Sequence, residues 1–237
     1  PVSLRTIPDE MTGVVETLRT AAAYVLISRD GPALHPGPRR YSRAWIRDGA
    51  LMGAALARAG LTEPGRDFVR WYAGFQAPDG NLPDCADRDG LEWLPEYDAW
   101  GELIFAVMDH YRFSGDRAFL AELWPAVLKS VDYLESLRGR RLTDEYQTPD
   151  KLAYYGLLPE SMSHEGYMAH PVHAYWDDFW ALRGLKDAAA MAELLGERRQ
   201  AERIGALRDD FRETLYASLY RVIAERSLDF VPGSVEL

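Results

Sequence analysis

Apolar residues recur at three- and four-residue intervals along most of the chain. This spacing predicts seven helices, at about 8–28, 48–59, 64–76, 98–113, 116–137, 175–195 and 198–223. Strand-like alternation is nearly absent. Gly60, Gly115 and Gly196 each fall just past a helix end, where a left-handed residue is wanted, and the next helix starts a few residues later. The other links, 29–47, 77–97 and 138–174, run to 19, 21 and 37 residues, against about 4–6 in most compact domains. Short and long links thus alternate, and if successive helices run antiparallel, every long loop lies at one end.

The helices also alternate in character. Ala50 to Ala57 carries no charge, and from Ala99 to Met108 the one charge is Glu102, the pattern of helices buried nearly all round. By contrast 117–137 has a single stripe at Leu120, Leu123, Val127, Val131 and Leu134, and the last helix one at Ile204, Leu207, Phe211 and Leu215. Each glycine turn therefore joins an inner helix to an outer one, which predicts an all-α fold of repeated helical hairpins. The inner helices at 48, 98 and 175 start where long loops end. Their N-termini, with free N–H groups and partial positive charge, converge on the loop-bearing end.

Composition narrows the partners. The 237 residues make one large domain or two small ones, and 47% hydrophobic content supports a sizeable core. There are 37 acidic and 27 basic residues, a net charge of −10, which excludes a phosphate-backbone binder and hence a nucleic-acid partner. No apolar run approaches the roughly 20 residues of a membrane span. Cys85 stands alone and forms no internal disulfide, which points to the cytoplasm, although a leader removed before Pro1 would escape this reading.

Four segments carry chemistry: Tyr41-Ser42-Arg43-Ala44-Trp45-Ile46-Arg47-Asp48-Gly49-Ala50, Gln76-Ala77-Pro78-Asp79-Gly80-Asn81-Leu82-Pro83, Pro95-Glu96-Tyr97-Asp98-Ala99-Trp100-Gly101 and His173-Ala174-Tyr175-Trp176-Asp177-Asp178-Phe179-Trp180. Each mixes aromatics with carboxylates at or before an inner helix. Sugars need that mixture, aromatic faces for C–H surfaces and charged groups for hydroxyls. Cleaving a glycosidic bond takes two carboxyl groups.

These segments resemble the six-hairpin, (α/α)6-toroid glycoside hydrolases, the glucoamylase-like family 15 and the related families 37 and 63. Trp45-Ile46-Arg47-Asp48-Gly49-Ala50 is similar to the W-x-R-D-x-A motif whose Arg and Asp grip the terminal sugar. Gln76 with Pro78-Asp79-Gly80, Asp98 opening its helix, and the turn Phe113-Ser114-Gly115-Asp116 extend the match. Trp176-Asp177-Asp178 stands where these families place the general acid after a Trp, so the resemblance implies Asp177 as the acid. An Asp in place of the glucoamylase Glu favours the relatives of family 15. The resemblance further implies an inverting hydrolase acting on a small oligosaccharide or glucan end, without cofactor. It also implies a toroid of twelve helices with the base near its end. Residues 1–237 then form part of a single catalytic domain that continues beyond 237, completed by the same polypeptide or a second chain.

On this reading Arg47 and Asp48 hold hydroxyls, Asp98 with Trp45, Trp100 and Trp176 shapes the subsite, and Asp178 and Glu160 are further sugar contacts. Other readings stay open. Asp48, Asp98 and Asp177 also stand where N-caps are wanted, a role worth about 1 kcal/mol each, and Arg47 could tie a loop to a carboxylate. Asp177 and Asp178 point about 100° apart and do not share one role. The stretch 164–173 lacks the H-E-x-x-H spacing and contains Pro171, so it is read as a loop over the pocket rim, bringing Glu160, His164, Glu165 or His173 near substrate, and not as a metal site. A phosphorylase of the same architecture, a non-catalytic glycan-binding toroid and a helical scaffold for protein partners are the alternatives. The scaffold leaves the gathering of aspartates and tryptophans unexplained.

Overall fold

A computed structural model describes residue 8 and residues 11–236. Seven α-helices carry the described chain: α1 (Thr12–Ile27), α2 (Ile46–Arg58), α3 (Glu63–Ala73), α4 (Ala99–Ser114), α5 (Arg117–Gly139), α6 (Tyr175–Leu195) and α7 (Arg198–Arg226). The first expected helix is α1 from Thr12 on; residues 9 and 10 lie outside the described residues. Gly60, Gly115 and Gly196 all adopt positive φ, at 81°, 70° and 84°, so the three tight turns have the left-handed backbone that glycine tolerates best.

α4 lies at the centre, flanked by α2, α3, α5 and α6. Ala99 through His110 are all buried, as an inner helix requires. Its packing on α6 is backbone to backbone: a Cβ added to Gly101 would sit 2.1 Å from the Trp180 carbonyl oxygen, and one on Gly184 would sit 2.7 Å from the Gly101 Cα. The expected outer stripes face inward on α5 and α7, with Leu120, Val127 and Val131 on one and Ile204, Phe211 and Leu215 on the other fully or almost fully buried. α2 departs from the expectation. Leu51 is 46% exposed and Ala55 is exposed as well, because α2 packs on α3 and α4 with one face only.

The long loops carry a sheet that the pattern does not announce. β1 (Ala44–Trp45), β2 (Cys85–Asp87) and β3 (Gly90–Glu92) form an antiparallel three-stranded sheet in that order, with strands too short for an alternation to register. Arg43 clamps it, donating to Asp87 at 2.8 Å and to Glu92 at 2.7 Å. The sheet joins the first loop to the second directly ahead of α2. Gln76 ties the second loop to α5 through the carbonyl of Ala126 and the Ser130 hydroxyl. The third loop is fastened by Leu158 N–H to Asp178 on α6 and by Met162 N–H to the Pro95 carbonyl. All three loops thus meet at the N-terminal ends of α2, α4 and α6.

Candidate active site

Asp98 joins the three inner helices. Its Oδ2 accepts from Arg47 at the start of α2, at 2.9 Å, and from the Trp176 indole N–H at the start of α6, at 2.8 Å. Arg47 also donates to Glu96 at 2.9 Å. The side chain of Asp98 makes these contacts and no capping bond. Trp45 and Ala174 occupy the cap positions of α2 and α6, which places Asp48 and Asp177 inside the first turns. The capping alternative therefore fails for all three aspartates.

Around Arg47 the charge is unbalanced. Burial works against its cation, and the carboxylates of Asp98 and Glu96 overcome it, raising its pKa above the usual value. Glu96 is pushed up to about 7, burial outweighing the pull of Arg47. Burial also raises Asp48, against the attraction of Arg47. Asp177 is 1% exposed. Its Oδ2 accepts from Ser161 Oγ at 2.5 Å, and its Oδ1 has no hydrogen-bond partner. Burial, then the charge of Asp98, raise its pKa well above the carboxylate range, with the Ser161 hydroxyl pulling the other way. A carboxyl whose proton is held more tightly than usual, with one oxygen uncommitted, is equipped to act as a proton donor.

Trp176 is the outer wall of this cluster. The His164 ring stacks on it with centroids 4.1 Å apart and planes 27° from parallel, within electrostatic reach of Arg47 and Asp98. Beside the pair opens a cavity of about 280 Å³ lined by Ser163, His164, Tyr167, Trp176, Phe179 and Gly233 among others. The cavity shares Trp176 with the acid cluster, but Asp177 does not line it. Trp45 does not line the cavity; it is half-buried, with the Arg43 guanidinium 5.3 Å from its ring centre.

Three expected sugar contacts sit elsewhere. Trp100 is 2% exposed, stacked on Tyr133 at 4.6 Å, with its N–H given to the Gly80 carbonyl; it belongs to the core. Asp178 turns away from Asp98 and accepts the Leu158 N–H at 2.9 Å, holding the third loop. Glu160 pairs with Arg141 and lies 3.5 Å from His173. His173 in turn binds Glu236 at 2.7 Å, and bonds from its ring and backbone hold Glu236 below the usual range although burial opposes them. Three residues of the cluster, Glu96, Ser161 and Glu102, are not among the expected site residues. Ser161 carries no pattern signal, whereas Glu102 was marked as the one charge in a buried stretch. Among the described residues, no group of three or more His, Cys, Asp or Glu side chains is arranged to hold a metal ion, and no helix is long and apolar enough to cross a membrane.

Paired hairpins with loops at one end and a carboxylate cluster at the inner-helix N-termini define a helical toroid of the glycosidase type. Residues 38–226 match the bacterial α-L-rhamnosidase six-hairpin glycosidase domain, and the chain belongs to that family. It is similar to an uncharacterized glycosyl hydrolase of Methanocaldococcus jannaschii, 30% identical over 105 residues, 44% of this chain and 17% of that protein. An MMP endo-(1,4)-3-O-methyl-alpha-D-mannosidase of Mycolicibacterium hassiacum is 26% identical over 145 residues, 60% of this chain and 36% of that one. The chain thus spans about a third or less of the length of these curated relatives. In fold it is similar to the GH63 mannosylglycerate hydrolase of Thermus thermophilus, with a TM-score of 0.61 at 17% identity over 84% of this chain and 65% of that one.

Proposed function

We propose that this chain supplies the sugar-holding and acid half of a glycosidase site that hydrolyses an α-linked sugar of manno configuration with inversion. The observation that carries the reading is the buried Asp177 carboxyl, its Oδ1 without a partner among the described residues, beside the Arg47–Asp98–Trp176 junction. The sugar class rests on the names of relatives, a rhamnosidase family and a mannosidase, L-rhamnose being 6-deoxy-L-mannose. Asp177 gives its proton to the glycosidic oxygen as the bond to the anomeric carbon breaks. Water attacks from the opposite face and loses its proton to a carboxylate base. That base would come from a later hairpin of the same toroid, in the same polypeptide or a second chain. Arg47 and Asp48 hold hydroxyls of the non-reducing sugar, Asp98 and Trp176 form the subsite floor and wall, and Trp45 stands at the rim.

The test is Asp177→Asn in the parent protein, assayed on aryl and alkyl α-L-rhamnosides and α-D-mannosides. Turnover of the alkyl glycosides is expected to fall by roughly 10²–10⁴, and that of aryl glycosides with good leaving groups by less, while calorimetric binding of the free sugar persists. Unchanged turnover of the alkyl glycosides rejects the acid assignment. Products that appear only with inorganic phosphate identify a phosphorylase, and sugar binding without turnover in the unaltered parent identifies a glycan-binding module.

A further inference from the structure

The geometry points to Glu102 as a positioning residue: a neutral carboxylic acid that donates a hydrogen bond to the Asp98 carboxylate and fixes its orientation toward the sugar. The inference rests on the glycosidase reading for its consequence, though not for the proton itself.

Glu102 follows Asp98 by four residues at the head of α4, so the two side chains lie on one face, a turn apart. It is fully buried, at 0% exposure. Among the described residues, no donor gives either of its oxygens a hydrogen bond. The acid that shares its buried helix face is Asp98; Arg47 and Asp177 are the other charges facing it. Arg47 is already engaged by Glu96 and Asp98. Two ionised carboxylates in contact, cut off from water, are excluded by repulsion and desolvation together, so one proton stays between them. Asp98 holds two donors, Arg47 and Trp176, and Glu102 holds none. The proton therefore resides on Glu102, whose only use for it is to donate to Asp98. Asp98 is then gripped by three donors from α2, α4 and α6, which sets the direction of the acceptor capacity it has left for a sugar hydroxyl.

Two variants of the parent protein separate this from a filler role. Glu102→Gln keeps the shape and a donor, and Glu102→Met keeps the shape and removes the donor. Using an aryl glycoside that the parent cleaves, KM is expected to stay within about threefold of the parent for Gln and to rise roughly tenfold or more for Met, with kcat changing less in both. Infrared difference spectra at pH 7 are expected to lose one neutral carboxylic-acid C=O band in Glu102→Gln. Met behaving like Gln overturns the donor role, and so does Gln, folded by circular dichroism, being as impaired as Met. An infrared spectrum unchanged by Glu102→Gln overturns the proton. The infrared arm needs no substrate: it decides the proton even if Met fails to fold, and if no glycoside is cleaved, that failure falls on the glycosidase reading alone.

Discussion

Replacing Asp178 by Asn should make the protein less stable than the parent in acid and bring it level with or slightly above the parent at alkaline pH. Asp178 is 1% exposed, accepts the Leu158 N–H through Oδ1 and leaves Oδ2 without a partner. Burial pushes its pKa up to about 7, against the Leu158 N–H and the Arg138 charge. In the unfolded chain the same group titrates near about 3.9. Below that pH both states hold the proton and the group contributes nothing. Between about 4 and 7 the unfolded chain releases its proton while the native state keeps it, so stability falls as pH rises, and above 7 the loss is complete. A gap of roughly three pH units at about 1.4 kcal/mol each sets an upper bound of about 4 kcal/mol. Half of that is a fair expectation once water entry and relaxation are allowed for.

Asn does not titrate, so this loss disappears. It keeps an acceptor for Leu158, and an amide NH2 left unpaired in place of Oδ2 would cost about 1–2 kcal/mol at every pH. Relative to the parent, the variant should therefore melt lower at pH 4 and recover or overtake it by pH 8. At about 2–4 °C per kcal/mol for a chain of this size, the swing in Tm difference is roughly 4–8 °C. Circular dichroism melts of both proteins from pH 4 to 8.5 measure it. Parallel profiles would refute the reasoning. Because Asp178 holds a loop and not the sugar, KM should also stay unchanged.

Two further outcomes follow from distances in the core and at the wall of the cluster. Gly101→Ala places a Cβ 2.1 Å from the Trp180 carbonyl oxygen and should cost about 3 kcal/mol or more, whereas Gly115→Ala, at φ 70° with open space around it, should cost about 1 kcal/mol; urea titration of both tests the contrast, and equal losses would contradict the α4–α6 contact. Trp176→Phe removes the 2.8 Å bond to Asp98 while keeping a ring for His164, so KM should rise roughly tenfold with kcat nearly constant; a collapse of kcat at constant KM would assign Trp176 to the chemistry instead.

The hairpin order was readable because its signals are local. A glycine after each inner helix and a stripe on the fifth and seventh need no knowledge of partners, and from α2 onward the helix ends fall within about three residues of expectation. That the heads of the inner helices meet was readable at the next level, from the loop lengths and the inner-helix pattern together; the particular junction of Arg47 and Trp176 on Asp98 was not. What stayed hidden depends on rotation about a helix axis or on distant backbone. Trp100 and Trp176 look alike in the sequence, each beside an aspartate in a first turn, but Trp100 is two residues from Asp98, about 200° around the helix, and so faces the core. Asp178 is assigned by an N–H from residue 158, twenty positions away, which no local pattern carries. Glu102 was legible and unused: one charge in a buried stretch, four residues from Asp98, already says that the two share a face.

The acid cluster and the glycine contact are two sides of one arrangement. Glu96, Asp98, Glu102 and Asp177 are all buried around a single guanidinium, and burial that lifts Glu96, Glu102 and Asp177 above the usual carboxylate range weakens the fold as pH rises. Such a cluster persists only where the surrounding packing over-determines it. Gly101 lies three residues after Asp98 on α4, and its partner region Trp180–Gly184 lies just below Asp177 on α6. With the two backbones in contact, neither helix can shift without a clash, and the carboxyls are held at a separation they would not choose. A larger residue at Gly101 would push the helix heads apart, lengthening the 2.8 Å bond from Trp176 to Asp98 and relieving the repulsion on Asp177. The same close approach that fills the core therefore adds the charge of Asp98 to the burial that raises the Asp177 pKa.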